Sequence, residues 1–370
     1  MKSVVIPKPF DAHVHGRDGA LLKMVAPMTA REFGGAIFEP NLSPPVLTGN
    51  DARAYYARIK AACADTPTFK PCLLLYLTDS TDPDMVHESI RSGACVGVKF
   101  YPRGATTNSD SGIADVSSLY TPGTKQYDCL RAVGDAGGVV QLHCELNFNL
   151  DNVPLELDPY RKEAYFFERV MPQLCERHPD VKLSCEHLTS TEGAFFMGRY
   201  GCNFLGCSIT PHHLLLDRRD MFRGGLRPHL FCLPVIKAEE HREALIDLVS
   251  KGKQYVFAGT DSAPHDRCKK EADCCSGGVF TAHAAVELYA QVFDEAGLLG
   301  DTRFEEFMSL NGPKFYGIRP SEEYIQLVRM SWQVNELIQY GVNETDVIWP
   351  YGYDQKPETR PLIEWQVRGL

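Results

Sequence analysis

Short runs of apolar, often β-branched residues alternate with longer amphipathic stretches through most of the chain. Eight of the short runs predict strands, because each spans a strand's length and contains at least one β-branched residue. The predicted strands cover residues 4–15, 35–41, 70–78, 95–101, 138–145, 181–188, 203–210 and 255–261. Strands that alternate with helices form parallel sheets, and eight is the strand number of a TIM-type (β/α)8 barrel. The pattern therefore predicts this α/β fold.

The longer stretches carry apolar residues at spacings of three and four, which indicates helices packed on a sheet. They cover residues 52–64, 84–92, 125–136, 160–177, 192–200 and 238–252, with further helices at 282–297 and 302–310. We expect residues 1–370 to form one domain, with the barrel in residues 1–320. Residues 321–370 are expected to add a helix and an extended, proline-containing end that pack on the barrel.

Composition places the chain among globular proteins and narrows its partners. Hydrophobic residues make up 44% and charged residues 23%, which excludes a disordered chain, a collagen and a coiled coil. The net charge is −10 and no basic run is present, so binding to nucleic acid is disfavoured. An acidic protein needs a specific receptor to bind an anion, which gives weight to any arginine beside a catalytic motif. Arg17 is the first such residue.

The sequence contains no secretory or membrane signal that we recognise. The amino terminus has one lysine before a three-residue apolar stretch, and no window approaches eighteen uninterrupted apolar residues. Thirteen cysteines form an odd count, and many lie inside apolar runs, which indicates buried, reduced thiols. We therefore expect a cytoplasmic protein with no membrane partner.

The segment from Asp11 to Arg17 ends the first predicted strand with the spacing HxH. Side chains alternate between the two faces of a strand, so His13 and His15 lie on one face and have the spacing to bind one metal ion. Two histidines on a strand face are, however, about as often a polar surface pair as a metal site. The motif alone leaves both interpretations open.

Four further residues lie at the carboxyl ends of predicted strands: Lys99, His143, His187 and Asp261. Each has an ordinary explanation when taken alone, such as a surface lysine, a buried hydrogen-bonded histidine or a helix cap. In a barrel, however, the carboxyl ends of all strands converge on the mouth where active sites lie. Together with the HxH motif, these residues predict a site.

The order HxH, Lys, His, His and Asp resembles the two-metal pattern of the amidohydrolase superfamily. More narrowly, the chain resembles the dihydroorotases of the shorter, single-function bacterial type. Matching segments run from residue 10 to about residue 317, and they are FDAHVHGRDG, EPNLSPPV, VGVKFYPRGATTNS, LHCE, CEHLT, GGLRPHLFCLP, GTDSAPHDR and NGPKFYG.

This resemblance implies a zinc-dependent cyclic amidohydrolase with two Zn²⁺ per subunit. The implied metal ligands are His13, His15, Lys99, His143, His187 and Asp261. The first two histidines and Asp261 would bind one zinc ion, the other two histidines would bind the second, and Lys99 would bridge them as N6-carboxylysine formed with carbon dioxide. An ammonium there would repel two dications, whereas a carbamate offers two negatively charged oxygens. Cobalt and manganese also suit these ligands, with zinc as the default.

The resemblance also implies the reaction, which is the reversible cyclisation of N-carbamoyl-L-aspartate to L-dihydroorotate in de novo pyrimidine biosynthesis. A metal-bridging hydroxide would attack the ring amide, and Asp261 would shuttle the proton as general base and then general acid. The partner is thus a small-molecule substrate, and the family expectation for the assembly is a homodimer.

Seven residues are expected to contact the substrate, and they are Arg17, Asn41, Thr106, Thr107, Leu233, His265 and Gly278. The arginine, Asn41 and His265 match the family's receptor for the carboxylate that does not react, although Asn41 by itself reads as a turn residue before prolines. Residues 103–115 have the composition of a solvated loop. The resemblance implies instead a lid that bears the two threonines, with the backbone at Leu233 and Gly278 on the polar edge of the ring.

Two features depart from the family pattern, and two other functions compete. Cys144 stands where glycine is expected, and residues 147–160 form a longer segment than expected. A hydantoinase-like cyclic amidase would share the metals but lack the carboxylate receptor. A catalytically inactive homologue that serves as a scaffold would be expected to have lost ligands, and all six are present here.

Overall fold

The computed structural model describes residues 2–147, 150 and 156–369. Its strands, in chain order, are β1 (Ser3–Pro7), β2 (Phe10–Val14), β3 (Gly35–Phe38), β4 (Lys70–Leu77), β5 (Gly97–Phe100), β6 (Val139–Leu142), β7 (Lys182–Cys185), β8 (Leu205–Ile209), β9 (Val256–Ala258), β10 (Tyr324–Trp332), β11 (Ile338–Gln339), β12 (Val347–Ile348) and β13 (Ile363–Gly369). Its helices are α1 (Gly19–Glu32), α2 (Gly49–Ala62), α3 (Pro83–Arg91), α4 (Lys125–Asp135), α5 (Lys162–Arg169), α6 (Met171–Arg177), α7 (Thr191–Tyr200), α8 (Pro211–Leu215), α9 (Glu239–Ser250), α10 (Arg267–Lys270), α11 (Ala285–Glu295), α12 (Thr302–Glu305) and α13 (Asn311–Tyr316).

Strands β2 to β9 form one parallel eight-stranded sheet in which neighbours along the chain pair in order. The barrel closes between β2 and the residues that directly follow β9. The backbone nitrogen of His15 donates to Ser262 O at 3.1 Å, and that of Asp261 donates to His13 O at 2.8 Å. The predicted (β/α)8 barrel is confirmed, and all eight predicted strands contribute to it.

The barrel strands are buried on both faces, which is why they read as continuous apolar runs. A large apolar cluster fills the layer between the strands and the surrounding helices. A smaller one, which includes Phe10, Val139, Phe257 and Phe315, lies inside the barrel near the strand beginnings. Helix α13 contributes Phe315 and Tyr316 to this inner cluster. The opposite end, where the strands finish, is left for polar side chains.

The first predicted strand, 4–15, divides into β1 and β2 around Pro7 and Pro9. Proline has no N–H to donate to a ladder, so two prolines this close interrupt one continuous strand. Strand β1 leaves the barrel and pairs antiparallel with β10, while β2 begins the barrel. The predicted helix at 160–177 divides similarly into α5 and α6, with Pro172 in the first turn of α6.

The prediction of a helix after Pro320 was wrong. Residues 324–332 form strand β10, which lies between β1 and β13 in a three-stranded antiparallel sheet. The apolar residues Ile325 and Leu327 alternate with polar ones at the two-residue period of a strand, and both are buried. Among the described residues beyond 320, the one helical segment is a 3-10 turn at Pro357–Thr359.

None of the helices that the structure describes is long and apolar enough to cross a membrane. All thirteen cysteines, each of which lies in the described part of the chain, are free thiols. Desolvation raises the pKa of the buried Cys95 and Cys129 thiols to about 12, so these two act as small apolar side chains.

Candidate active site

His13, His15 and Asp261 form one cluster at the carboxyl end of the barrel. His13 is in β2, His15 directly follows that strand, and Asp261 follows β9. Asp261 Oδ1 lies 3.0 Å from His15 Nε2 and 3.4 Å from His13 Nε2. One ligand atom from each residue falls within 4.8 Å of the others, and all three residues are buried. Two imidazoles and a carboxylate in this arrangement suit a divalent transition metal.

His143 and His187 form a second pair beside the first cluster. They follow strands β6 and β7, and His143 Nδ1 lies 3.2 Å from His187 Nε2. The rings of His187 and His13 are 5.1 Å apart between centroids, so the pair and the cluster share one space. Burial, and then the nearby positive charges, hold the pKa of His13 and of His187 well below the usual value. These imidazoles are therefore neutral, as metal ligands must be.

Lys99 lies in β5 and is fully buried. It is near both groups of ligands, because its charge helps to lower the pKa of His13 and of His187. Its Nζ makes no hydrogen bond, and the carboxylate contact it has is Glu39 Oε2 at 3.5 Å. A buried ammonium without hydrogen-bond partners is strongly unfavourable. Conversion of this nitrogen to a carbamate would remove the positive charge and add two oxygen ligands. The orphaned lysine and the four histidines fit a two-metal centre that a carboxylated lysine bridges.

In three of the four histidines, the ring nitrogen that faces away from the site is held by a polar side chain. His13 Nδ1 lies 2.9 Å from Glu186 Oε2, and His143 Nε2 lies 3.2 Å from Glu145 Oε2. His15 Nδ1 lies 3.0 Å from Asn41 Oδ1. Such outer partners fix the tautomer and the ring orientation of a ligating histidine.

Our sequence analysis missed Glu186, Glu145 and Glu39. Each lies within two residues of a predicted site residue in the sequence. Glu186, for example, directly precedes His187. Regular strand alternation would place those two side chains on opposite faces. His187, however, has φ 42°, in the left-handed region, so the chain leaves the strand geometry there. Asp261 has a similar φ of 44°, and strained backbone of this kind is common at active sites.

Two buried carboxyl groups hold the strand ends without facing the cavity. Asp11 accepts hydrogen bonds from the backbone nitrogens of His13 and Thr260, at 3.1 and 2.8 Å, and so joins β2 to the segment after β9. Burial raises the pKa of Asp11 to about 7. Burial likewise raises the pKa of Glu39 to about 8, although the Lys99 charge opposes the shift.

Arg17 and His265 lie side by side at the rim of the site. Arg17 Nη2 is 2.9 Å from His265 Nε2, and Arg17 Nε donates to Pro264 O at 3.1 Å. Asn41 is adjacent, but its amide nitrogen already donates to Thr107 O at 3.1 Å. The structure thus brings the three predicted carboxylate contacts together, with Asn41 also linking His15 to the loop at 103–115.

That loop covers the site. Thr106 and Thr107 both line the cavity, and Thr107 Oγ1 donates to Gly277 O at 3.4 Å on the opposite wall. Asn108, at φ 57°, donates from its amide to Asn41 O at 3.2 Å. The conformation is closed, with the loop joined to both sides of the barrel mouth.

The cavity has a volume of about 330 Å³ when the space that opens to solvent is included. It is lined by His13, His15, Arg17, Asn41, Tyr101, Thr106, Thr107, His143, His187, Leu233, Asp261, Ala263, Gly277 and Gly278. His265 reaches this wall through Gly277 O, at 2.9 Å from His265 Nε2. Every predicted site residue therefore lines the cavity or contacts a residue that does, since Lys99 Nζ lies 5.2 Å from the centre of the Tyr101 ring.

The first departure from the family pattern, Cys144, directly follows the ligand His143. Cys144 is buried, and its thiol points back to Leu142 O at 3.6 Å, so it leaves the neighbouring ligand free. Of the longer segment at 147–160, residues 148–149 and 151–155 lie outside the described residues.

His212 and His213, which directly follow Pro211 in α8, are buried beside Cys232. His213 Nδ1 lies 2.7 Å from Thr210 Oγ1, and its Nε2 lies 3.1 Å from Pro234 O. Both nitrogens of His213 are thereby used to join the end of β8 to the loop that carries Leu233.

Comparison with known proteins gives the same family that the geometry suggests. The amidohydrolase family pattern matches residues 4–322. A dihydroorotase of Azoarcus sp. (strain BH72) is 45% identical over 334 residues, which cover 90% of this chain and 92% of that protein. A dihydroorotase of Shewanella putrefaciens is 39% identical over 99% of this chain and 100% of that protein.

Solved structures are similar over the whole chain. A dihydroorotase from Saccharomyces cerevisiae, in complex with 5-fluoroorotic acid, has a TM-score of 0.85 at 27% identity and covers 100% of this chain and 99% of that one. A dihydroorotase from Campylobacter jejuni has a TM-score of 0.83 at 29% identity, with 99% and 97% covered. An L-hydantoinase from Arthrobacter aurescens shares the fold at 15% identity, with a TM-score of 0.72 and 90% and 78% covered. The chain therefore belongs to the amidohydrolase family and groups within it with the dihydroorotases.

Proposed function

We propose that this protein is a metal-dependent dihydroorotase that interconverts N-carbamoyl-L-aspartate and L-dihydroorotate in pyrimidine biosynthesis. The observation that carries the proposal is the shared cavity. Five of the six potential metal ligands line it, and the sixth, Lys99, is buried behind Tyr101, which also lines it. Arg17 with His265 lies at the rim, as a receptor for an anion. A cyclic amide with a carboxylate beside it has the chemistry that both groups require.

The six ligands would hold two zinc ions, with Lys99 carboxylated between them. When bound, such ions polarise a carbonyl oxygen and lower the pKa of water. The remaining steps belong to side chains of this chain. Asp261, 3.0 Å from His15 and facing the cavity, accepts a proton from the attacking water and returns it to the leaving ring nitrogen.

Arg17 and His265 bind the carboxylate that does not react, and so fix which amide of the substrate faces Asp261. An arginine guanidinium pairs with a carboxylate through two parallel hydrogen bonds, which fixes orientation as well as affinity. The backbone at Leu233 and Gly278 supplies polar groups to the ring edge, and closure of the loop that bears Thr106 and Thr107 excludes water.

A hydantoinase-like amidase is the competing function within the same fold. It would use the same metal ligands but act on rings without a carboxylate. Such substrates offer no anionic group to pair with Arg17 and His265. The test measures turnover of L-dihydroorotate, by loss of its ultraviolet absorbance, against turnover of an uncharged hydantoin, with metal content measured on the same sample. We expect two metal ions per chain and a preference for dihydroorotate. Preference for the hydantoin would contradict the proposal.

Lys99→Ala tests the bridging ligand separately. This variant should lose metal and activity, because no other side chain supplies the bridge, and added short carboxylic acids should restore part of both. Lys70→Ala, at an exposed position in β4, is the matched control and should retain metal and activity. Retention of both metals and full activity by Lys99→Ala would exclude a carbamate bridge.

We further propose a cytoplasmic homodimer in which residues 1–370 fold as one domain. The thirteen free thiols support a reducing compartment. The sheet of β1, β10 and β13 supports a single domain, because it joins the amino terminus to the carboxyl-terminal segment. Sedimentation analysis of the purified protein tests the dimer.

A further inference from the structure

Lys270 is a buried lysine outside the metal centre. It ends the short helix α10, and only 3% of the residue is exposed. Its Nζ donates to three backbone carbonyl oxygens: Phe231 O at 2.7 Å, Ser276 O at 2.8 Å and Gly278 O at 2.8 Å. An ammonium has three donors, so all of them are used and none is left for a ligand.

These carbonyls belong to two segments that form one wall of the cavity. One segment, residues 231–233, carries Leu233, and the other, residues 276–278, carries Gly277 and Gly278, all three of which line the cavity. The segments also contact each other directly, since Gly278 N donates to Phe231 O at 2.9 Å. Lys270 therefore cross-links the two stretches of backbone from behind.

The segment 276–278 has little freedom to move without changing the site. In sequence, Gly277 lies between Ser276 and Gly278, whose carbonyl oxygens both accept from Lys270. Gly277 O itself accepts from His265 Nε2 at 2.9 Å and from Thr107 Oγ1 at 3.4 Å. Gly278 has φ 153°, and a Cβ there would come within 2.7 Å of Ala263 Cβ. The anion receptor, the covering loop and the ring-edge backbone thus all meet this one segment.

We propose that Lys270 is a positioning residue for substrate binding, which sets the cavity wall of Leu233, Gly277 and Gly278 in register with His265 and Thr107. This inference rests on the proposed function, in which that wall contacts the substrate ring. A buried ammonium holds three carbonyls more firmly than neutral donors would, because charge-assisted hydrogen bonds are about twice as strong. A wall that is held in its binding geometry before the substrate arrives favours affinity, because binding need not order it.

The experiment compares Lys270→Met with the wild-type enzyme in steady-state kinetics on L-dihydroorotate. The variant keeps the length of the side chain and removes its donors. We expect KM to rise about tenfold or more while kcat changes by less than about threefold and metal content stays the same, because the ligands are held elsewhere. The inhibition constant for 5-fluoroorotic acid should rise by a similar factor, and Lys270→Arg should recover part of the loss.

Lys269→Met is the matched control, since Lys269 is the exposed neighbour on the same short helix and contacts Asp266 at 3.6 Å. Its constants should equal those of the wild type. If Lys270→Met does not fold, Lys270→Gln, which keeps two donors, replaces it and should show the same direction.

Hydrogen exchange makes the test independent of activity. The amide of Gly278 should exchange faster in Lys270→Met than in the wild type, while amides of the barrel strands should not change. A KM within twofold of the wild-type value, or unchanged exchange at Gly278, would overturn the inference. An inactive wild-type enzyme would instead contradict the proposed function, and exchange would still decide whether Lys270 holds the wall.

Discussion

At the scale of single residues, the site depends on polar groups that the fold buries and then orients. Three of the four histidine rings are held through the nitrogen that faces away from the cavity, by Glu186, Asn41 and Glu145. His187 Nδ1 and Lys99 Nζ differ, because both nitrogens are buried without a hydrogen bond. The proposed carbamate accounts for Lys99, as two carboxylate-like oxygens would bind metal in place of a desolvated charge.

Arg17→Met should weaken substrate binding more than it slows the chemical step. The guanidinium is expected to pair with the carboxylate that does not react, so its loss should raise KM by about tenfold or more with a smaller change in kcat. The KM of Arg17→Lys should lie between those of the wild type and Arg17→Met, because lysine keeps the charge but not the planar pair of donors.

Arg58→Met is a suitable control for this measurement. Arg58 is an exposed arginine that stacks on Tyr55 and pairs with Asp18 at 2.9 Å, close in space to the backbone of Arg17. Its kinetic constants should not change. Unchanged binding of both substrate and product in Arg17→Met would contradict the assignment of this residue to the carboxylate.

At the scale of elements, the site lies where parallel strands end and loops begin. The barrel strands could be predicted because both of their faces are buried, so each is a compact apolar run. The tail was harder, since β10 is stabilised by pairing with β1, more than three hundred residues away in sequence. The local pattern of apolar residues gives no information about a partner strand that is remote in sequence, and we predicted a helix there.

The loop that bears Thr106 and Thr107 should behave as one element. Replacing both threonines by alanine removes the hydrogen bond from Thr107 to Gly277, which joins the loop to the opposite wall. We expect turnover to fall by roughly an order of magnitude or more, because an open loop admits water and leaves the substrate less well fixed. Thr121→Ala, at a position where the hydroxyl donates within its own turn, should have little effect. Near-wild-type kinetics in the double variant would remove the loop from the mechanism.

At the scale of the whole molecule, a buried pair of carboxyl groups connects the barrel with the terminal sheet. Glu32 in α1 accepts from Val286 N at 3.1 Å, and Glu287 in α11 accepts from Val367 N, in β13, at 3.1 Å. Burial raises the pKa of Glu32 well above 4.5, and the neighbouring Glu287 raises it further. Burial also raises the pKa of Glu287.

These shifts predict a loss of stability as pH rises. In the folded protein the pair keeps protons that the unfolded chain releases above about pH 4.5, so the free energy of unfolding decreases from that pH upward until the folded pair also ionises. Glu287→Gln removes one ionisation and the repulsion it causes. The variant should therefore lose less stability than the wild type between about pH 5.5 and about pH 8, by a difference on the order of 1 kcal/mol.

Denaturant unfolding at both pH values measures this difference. Glu295→Gln, at an exposed position near the end of the same helix, is the matched control and should lose as much stability as the wild type. An equal loss in Glu287→Gln and the wild type would show that the pair does not link folding to pH.

The sequence by itself determined the barrel and the identity of the side chains at its mouth. Both follow from local information, which is the two-sided burial of eight short strands and the polar residues placed where each strand ends. The arrangement of those residues into one cavity then follows from the parallel topology.

Only the tertiary structure decided how these side chains are held. Glu186 reaches His13 from a strand on the other side of the barrel, and Lys270 joins two loops that are more than thirty residues apart in sequence. The register of β10 between β1 and β13 is of the same kind. Such contacts depend on distances between segments that are remote along the chain, and no period or motif within one segment records them.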